Sequence, residues 1–257
     1  MILTEQNYYT READEEYLSV SQYKDFLRCE AAALARLRGE IPRMTSTAML
    51  VGSYVDAALG GTLEEFRQDH PELFKRDGSL KAEYAHADYI IERIREQPLM
   101  VHYNSGEPQR IFTGMIGGVR WKCKVDSYLP GEAIVDGKVM RDFEPVYVPG
   151  SGRLPWWEAW GYDKQGAVYQ ELVRKETGEK LPFILSAATK EPEPDLALLQ
   201  VDQAMLDYEL AQAAEAAPRI DAIKKGLIQP ERCGTCPYCR RTKIVELMRT
   251  EDLKDET

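Results

Sequence analysis

VRWKCKVDSYLPGEAIVDGKVM, residues 119–140, alternates apolar and polar side chains on either side of a Pro130-Gly131 turn. Successive residues of a strand point to opposite faces, so Val119, Trp121, Cys123 and Val125 share one face while Arg120, Lys122, Lys124 and Asp126 share the other. An aspartate thus ends a row of cations. In the next strand, EAIVDGKVM, the same parity sets Asp136 and Lys138 on one face, a single side-chain step apart. An aspartate on one strand with Asp-x-Lys on its neighbour is what metal-assisted phosphodiester hydrolysis needs. Two carboxylates hold Mg2+, and a lysine orients the attacking water and offsets developing charge. The backbone carbonyl of Gly137, between them, is expected to offer a further oxygen ligand. Alone, Asp-x-Lys also describes an exposed strand with a local ion pair; the surrounding pattern favours a site.

Upstream, QRIFTGMI and the turn pair Gly117-Gly118 complete three successive antiparallel strands. Before them the periodicity is helical. Ser19 or Ser21 caps a helix through SQYKDFLRCEAAALARLRG, which exposes Cys29 near its middle and stops at Gly39. A second helix, TAMLVGSYVDAALGG, runs from Thr47 to Gly60-Gly61, and a third, KAEYAHADYIIERIREQ, ends before Pro98. Downstream, a loop rich in Pro, Gly and Trp (EPVYVPGSGRLPWWEAWG) leads into a helix DKQGAVYQELVRKETG, an apolar strand LPFILSAAT and an alanine-rich helix over residues 202–226. The expected class is α/β (α+β), a mixed central sheet flanked by helices. One domain is expected over residues 1–257: a helical N-terminal part (1–100), a core (105–200) and a C-terminal helix with a cysteine cluster (201–257).

Gln165 and Tyr169 lie four apart on a helix and share a face, where they would contact a DNA strand or position the lysine; a tyrosine there also suits a core boundary. Cys233, Cys236 and Cys239 form C-x2-C-x2-C, and such thiolate density suits an Fe–S cluster or zinc better than buried structural thiols. A fourth ligand is needed. Cys29 supplies it, since Cys123 faces the apolar side of its strand.

The chain has 257 residues and a net charge of −10, which at first sight opposes a polyanionic substrate. Total charge does not fix its distribution, and a cationic groove can coexist with an acidic exterior. No apolar run approaches the ~20 residues needed to span a bilayer, and MILTEQNYYTREADEE is polar and acidic rather than an export signal. The expectation is a soluble, cytoplasmic protein without a membrane partner.

With these residues in place, the chain resembles the exonuclease VIII-like (RecE-like) branch of phage and prophage PD-(D/E)XK nucleases. The resemblance is carried by SVSQYKDFLRCE, MLVGSYVDAALGG, KCKVDSYLPGEAIVDGKVMRDF, YDKQGAVYQELVRKETGEKLPFILSAATKEPEPDL and RCGTCPYC. It implies a restriction-endonuclease-like core, dependence on Mg2+ or Mn2+, and digestion of linear duplex DNA, with 5′-to-3′ polarity as the expectation. The exposed single strands would pass to an annealing recombinase (RecT-like), and a homo-oligomer is left open. Asp126 matches the first metal-binding aspartate, Asp136 the second acidic ligand, Lys138 the lysine of the motif, and Gln165 and Tyr169 the Q-x3-Y motif. One cysteine before the core and three after it resemble the AddB-type iron–sulfur nucleases, implying a [4Fe–4S] cluster with zinc as the alternative.

Two departures stand out. Relatives place a metal-binding histidine in the early helix, whereas GSYVDAAL has none; Asp56 is its best substitute, with a solvent-facing carboxylate as the other reading. Gly137 and Val139 replace the usual aliphatic and hydroxyl neighbours of the lysine. The competing function is a catalytically weak DNA-end-binding module that recruits a recombinase around a structural metal centre. A site-specific endonuclease is disfavoured because nothing resembles a separate base-reading element.

Overall fold

Gly117 and Gly118 both take positive φ, 58° and 75°, the conformation of a two-residue hairpin turn whose twist matches its strands. In the computed structural model, which describes residues 1–42, 46–245 and 247, this turn joins β1 (Glu107–Ile116) to β2 (Val119–Leu129), with Ile116 paired to Val119. β3 (Ala133–Met140) returns antiparallel to β2, but their ladder covers only Ser127↔Val135 to Leu129↔Ala133. β4 (Val146–Val148) and β5 (Gly152–Leu154) form a separate small hairpin inside the Pro/Gly/Trp loop. β6 (Phe183–Thr189) lies parallel to β3, and β7 (Leu196–Gln200) antiparallel to β6, giving the order β1-β2-β3-β6-β7. This is the expected mixed sheet. β6 is buried throughout, as an apolar parallel strand between two helical layers should be; β7 and the small hairpin carry no strong alternation and escape a reading of the sequence.

Helices cover both faces. α1 (Arg11–Glu16), α2 (Val20–Arg28) and α3 (Glu30–Leu37) begin one layer, in which Leu18, Tyr23 and Phe26 pack with Trp121 of β2. α4 (Thr47–Leu59), α5 (Leu63–Asp69), α6 (Ala82–Arg95) and α7 (Pro98–Tyr103) form the other, where Tyr54, Val55, Ile90, Ile91 and Ile94 meet Ala188 of β6. α8 (Trp156–Ala159), α9 (Tyr162–Thr177) and α10 (Gln203–Lys224) complete the first layer, with Leu172 and Ile220 buried beside Phe183. α11 (Pro237–Arg241) carries the last cysteine. No described helix is long and apolar enough to cross a membrane.

Two local expectations are corrected. The single helix through residues 21–39 is broken at Cys29, whose extended backbone (φ −169°, ψ 108°) separates α2 from α3. Ser19, not Ser21, caps α2, accepting from the Gln22 N–H at 3.3 Å. The break is tied down from the far end of the chain: the Ala31 N–H donates to the Glu231 carbonyl and the Glu231 N–H to Glu30 Oε2. Cys29 is therefore buried, not exposed. Lys122, expected on the polar face in line with Arg120 and Lys124, is 1% exposed because the N-terminal segment folds over it. Its ammonium donates to Asp14 Oδ1 (2.8 Å) and to the Tyr8 carbonyl (2.5 Å). The row of cations is thus not an open surface.

Candidate active site and cysteine centre

β2 and β3 stop pairing at Ser127↔Val135, and the site lies where they part. Beyond that point the Gly137 N–H donates to Asp126 Oδ2 at 3.0 Å, so a carboxylate takes the place of a strand carbonyl. Asp126 Oδ1 accepts from Gln109 Nε2 at 3.1 Å. Gln109 has φ 53°, a left-handed conformation that non-glycine residues adopt at a cost, and it aims its amide at Asp126.

Parity on β3 sends Asp136 and Lys138 toward α9 and Gly137 toward α4. A Cβ on Gly137 would stand 3.1 Å from Asp56 Oδ1 and 3.8 Å from Asp126 Oδ2. The absent side chain is what lets α4 bring Asp56 up to the strand carboxylates, and it explains the departure at Gly137. Asp56, Asp126 and Asp136 thus surround one stretch of β3 backbone.

Asp136 was expected on an accessible polar face; it is 1% exposed because α9 covers that face. Its Oδ1 accepts from Gln165 Nε2 at 2.7 Å, and its Oδ2 meets the Lys138 ammonium. Lys138 also lies 5.0 Å from the centroid of the Tyr162 ring. Gln165 therefore reaches the carboxylate rather than the lysine. Tyr169, one turn further, packs edge-on against Phe183 at 6.1 Å, and burial raises its hydroxyl well above the usual range.

The electrostatics follow from enclosure. Burial pushes Asp136 up to about 7, against the pull of Lys138, and burial with the nearby Asp126 charge raises Asp56 well above the carboxylate range. Burial opposes the charge on Lys138, yet Asp136 and Asp126 hold it protonated and above the usual lysine range. Asp56 and Asp136, both pushed toward the protonated form, together with Asp126 beside them, are a donor set a hard divalent cation would complete, with the Gly137 carbonyl as a fourth oxygen. Mg2+ or Mn2+ fits these residues.

A stability consequence arises here. Asp136 and Asp56 bind protons more tightly folded than unfolded, so the stability they contribute is full below the ordinary carboxylate range and is lost as pH rises toward about 7 for Asp136. Each contributes up to about 1.4 kcal/mol per pH unit across its window. In EDTA, Tm is expected to fall between pH 5 and pH 7.5, Mg2+ should restore it at pH 7.5, and Asp136→Asn should flatten the profile. Scanning fluorimetry decides it; a Tm that rises with pH in EDTA would contradict the burial of these groups.

The second constellation joins the chain's ends. The four Sγ atoms of Cys29, Cys233, Cys236 and Cys239 lie within 4.8 Å of one another, with Cys29–Cys239 at 3.5 Å, Cys29–Cys236 at 3.8 Å and Cys233–Cys239 at 3.9 Å. The Cys236 N–H and the Thr235 hydroxyl point at Cys233 Sγ, and these donors, the backbone N–H first, lower that thiol to about 6, while burial raises its neighbour Cys239 to about 11. Cys123 stays apart, buried against the core.

Sequence reasoning missed Gln109, Tyr162 and Lys24. Lys24 lies on α2, its ammonium 5.6 Å from the Tyr162 ring centroid. The only signal was its place inside SQYKDF, one helical face away from the apolar positions.

Comparison with known proteins bears on this geometry. The family described as "PDDEXK-like domain of unknown function (DUF3799)" matches residues 19–242. A crystal structure of a "Putative exonuclease" from Eubacterium rectale superposes with a TM-score of 0.92, at 43% sequence identity and covering 100% of both chains. No curated protein matches the chain.

Proposed function

Because the chain belongs to this PDDEXK-like family, we propose that it is a metal-dependent nuclease that hydrolyses the phosphodiester bonds of linear duplex DNA. One observation carries the reading: Asp126, Asp136 and Lys138 converge where β2 and β3 part, with Asp56 brought in over Gly137. Asp126, Asp136, Asp56 and the Gly137 carbonyl would hold the ion. A divalent cation there activates water and stabilises charge on the phosphate oxygens. Lys138, held protonated, is unsuited to accept a proton; its ammonium orients the water and meets the charge that builds on phosphorus oxygens. Gln165 fixes the Asp136 carboxylate. Tyr169 packs behind it and takes no direct part. The description "Putative exonuclease" of the similar crystal structure favours action from DNA ends. Polarity, 5′-to-3′, and delivery of single strands to an annealing recombinase rest on the sequence resemblance alone.

At the cysteines we propose a structural metal centre that clasps the chain's ends. A tetrahedral ion with Zn–S bonds of about 2.3 Å sets sulfurs ~3.8 Å apart; three of the Sγ separations, 3.5 to 3.9 Å, fit it, and all four atoms lie within 4.8 Å of one another. A [4Fe–4S] cluster, which the resemblance implies, would need the sulfurs to spread around four irons. Metal analysis with a visible spectrum of anaerobically purified protein separates them: stoichiometric zinc and no colour, or iron, sulfide and broad brown absorption.

The test of the nuclease reading is release of nucleotides from linear duplex DNA with and without Mg2+. Asp56→Asn is expected to shift the Mg2+ titration upward by about tenfold, since one of three carboxylates is lost, and Gly137→Ala should resemble it by displacing Asp56. An unchanged titration for both would remove Asp56 from the site.

A further inference from the structure

Lys24 is a cation that none of these roles uses. Its ammonium donates to the Trp160 carbonyl at 3.1 Å, and its stem passes so close to Gly161 that a Cβ there would stand 3.0 Å from its Cδ. Gly161, at φ 67°, leaves that passage open. Lys24 and Lys138 approach the same Tyr162 ring, at 5.6 and 5.0 Å from its centroid. Lys122, Lys138 and Lys164 each face a carboxylate, Asp14, Asp136 and Glu209 respectively. Among the described residues Lys24 has no such ion pair.

A half-buried ammonium beside a second lysine, with no ion pair among the described residues and with Asp136 and Asp163 acting on it only at longer range, gains a direct counter-charge when an anion visits. Burial and the Lys138 charge lower its pKa to about 8, which reports that discomfort. A purely structural lysine, tethering α2 to the end of α8, would have no reason to lie beside Lys138.

We propose that Lys24 contacts a backbone phosphate of the bound DNA strand, adjoining the phosphodiester that the three aspartates and Lys138 would hold. This rests on the nuclease reading, and the test separates the two. The probe is a fluorescein-labelled blunt DNA duplex, its binding followed by anisotropy in EDTA over ~50 to 200 mM KCl, alongside steady-state digestion with Mg2+. Lys24→Met keeps the apolar stem and removes the charge. Binding should weaken about tenfold, and the slope of log K against log salt should lose ~0.9, the contribution of one phosphate contact. In digestion, KM should rise while kcat holds within about threefold. Lys24→Arg should restore most of the binding. If Lys24→Met loses thermal stability, Lys24→Gln, which keeps a donor for the Trp160 carbonyl, carries the same measurement.

A wild-type salt slope and KM in the charge-free variant would overturn the contact, as would Lys24→Arg being as defective as Lys24→Met. Wild-type protein that binds the duplex but releases no nucleotide removes the nuclease reading and leaves the contact to be judged by the slope. Wild-type protein that neither binds nor cuts removes both.

Discussion

Asp136→Asn and Lys138→Met are each expected to lower DNA digestion by at least about a thousandfold while the protein remains folded. The substitutions are chosen for what each group touches. Asparagine keeps the volume of a residue that is 1% exposed and keeps an acceptor for Gln165, so the lost quantity is the negative charge. Methionine keeps a stem against the Tyr162 ring and removes the ammonium. Neither loss leaves an intolerable buried charge. Asp136, already pushed up to about 7, can take a proton when Lys138 is gone, and Asp126 remains near Lys138 when Asp136 is neutralised. Digestion within tenfold of wild type by either variant, with matched Tm, would remove these residues from the chemistry.

The second large effect concerns stability. Cys29 and Cys236 are separated by 207 positions in sequence and 3.8 Å in space, so a metal held between them closes almost the whole chain into a loop. The unfolded chain lacks a preformed site, and metal binding there is folding free energy. Cys29→Ser and Cys236→Ser are each expected to release the metal and to cost about 3 to 5 kcal/mol, roughly 10 °C in Tm for a domain of this size. Cys123→Ser should retain full metal. Cys29→Ser with a full complement of metal and unchanged Tm would mean that Cys29 only packs at the helix break.

Much of the site was legible because its signal is local. Alternation along Val119–Asp126 and the same strand parity in β3 place Asp126, Asp136 and Lys138, and an apolar run such as Phe183–Thr189 suits a strand beside β3 with both faces covered. What escaped depends on partners distant in sequence. Nothing around Lys122 signals that Asp14, 108 residues earlier, will cover it. Periodicity runs unbroken through Cys29, since the helix is interrupted by a tether to Glu231 and by the sulfur cluster, neither of which alters local hydrophobic spacing. Asp56 was legible only as an absence of histidine. Its approach depends on the missing Cβ of Gly137, a residue whose meaning appears once α4 and β3 are packed together.

The most direct measurement compares linear and covalently closed duplex DNA incubated with the purified wild-type protein and with Lys138→Met, in Mg2+ and in EDTA. Soluble nucleotides should accumulate from the linear DNA only, only with Mg2+, and only with the wild-type protein. Digestion that persists in EDTA or with Lys138→Met, or wild-type protein that binds linear ends without releasing nucleotides, would contradict a metal-dependent nuclease centred on Asp126, Asp136 and Lys138.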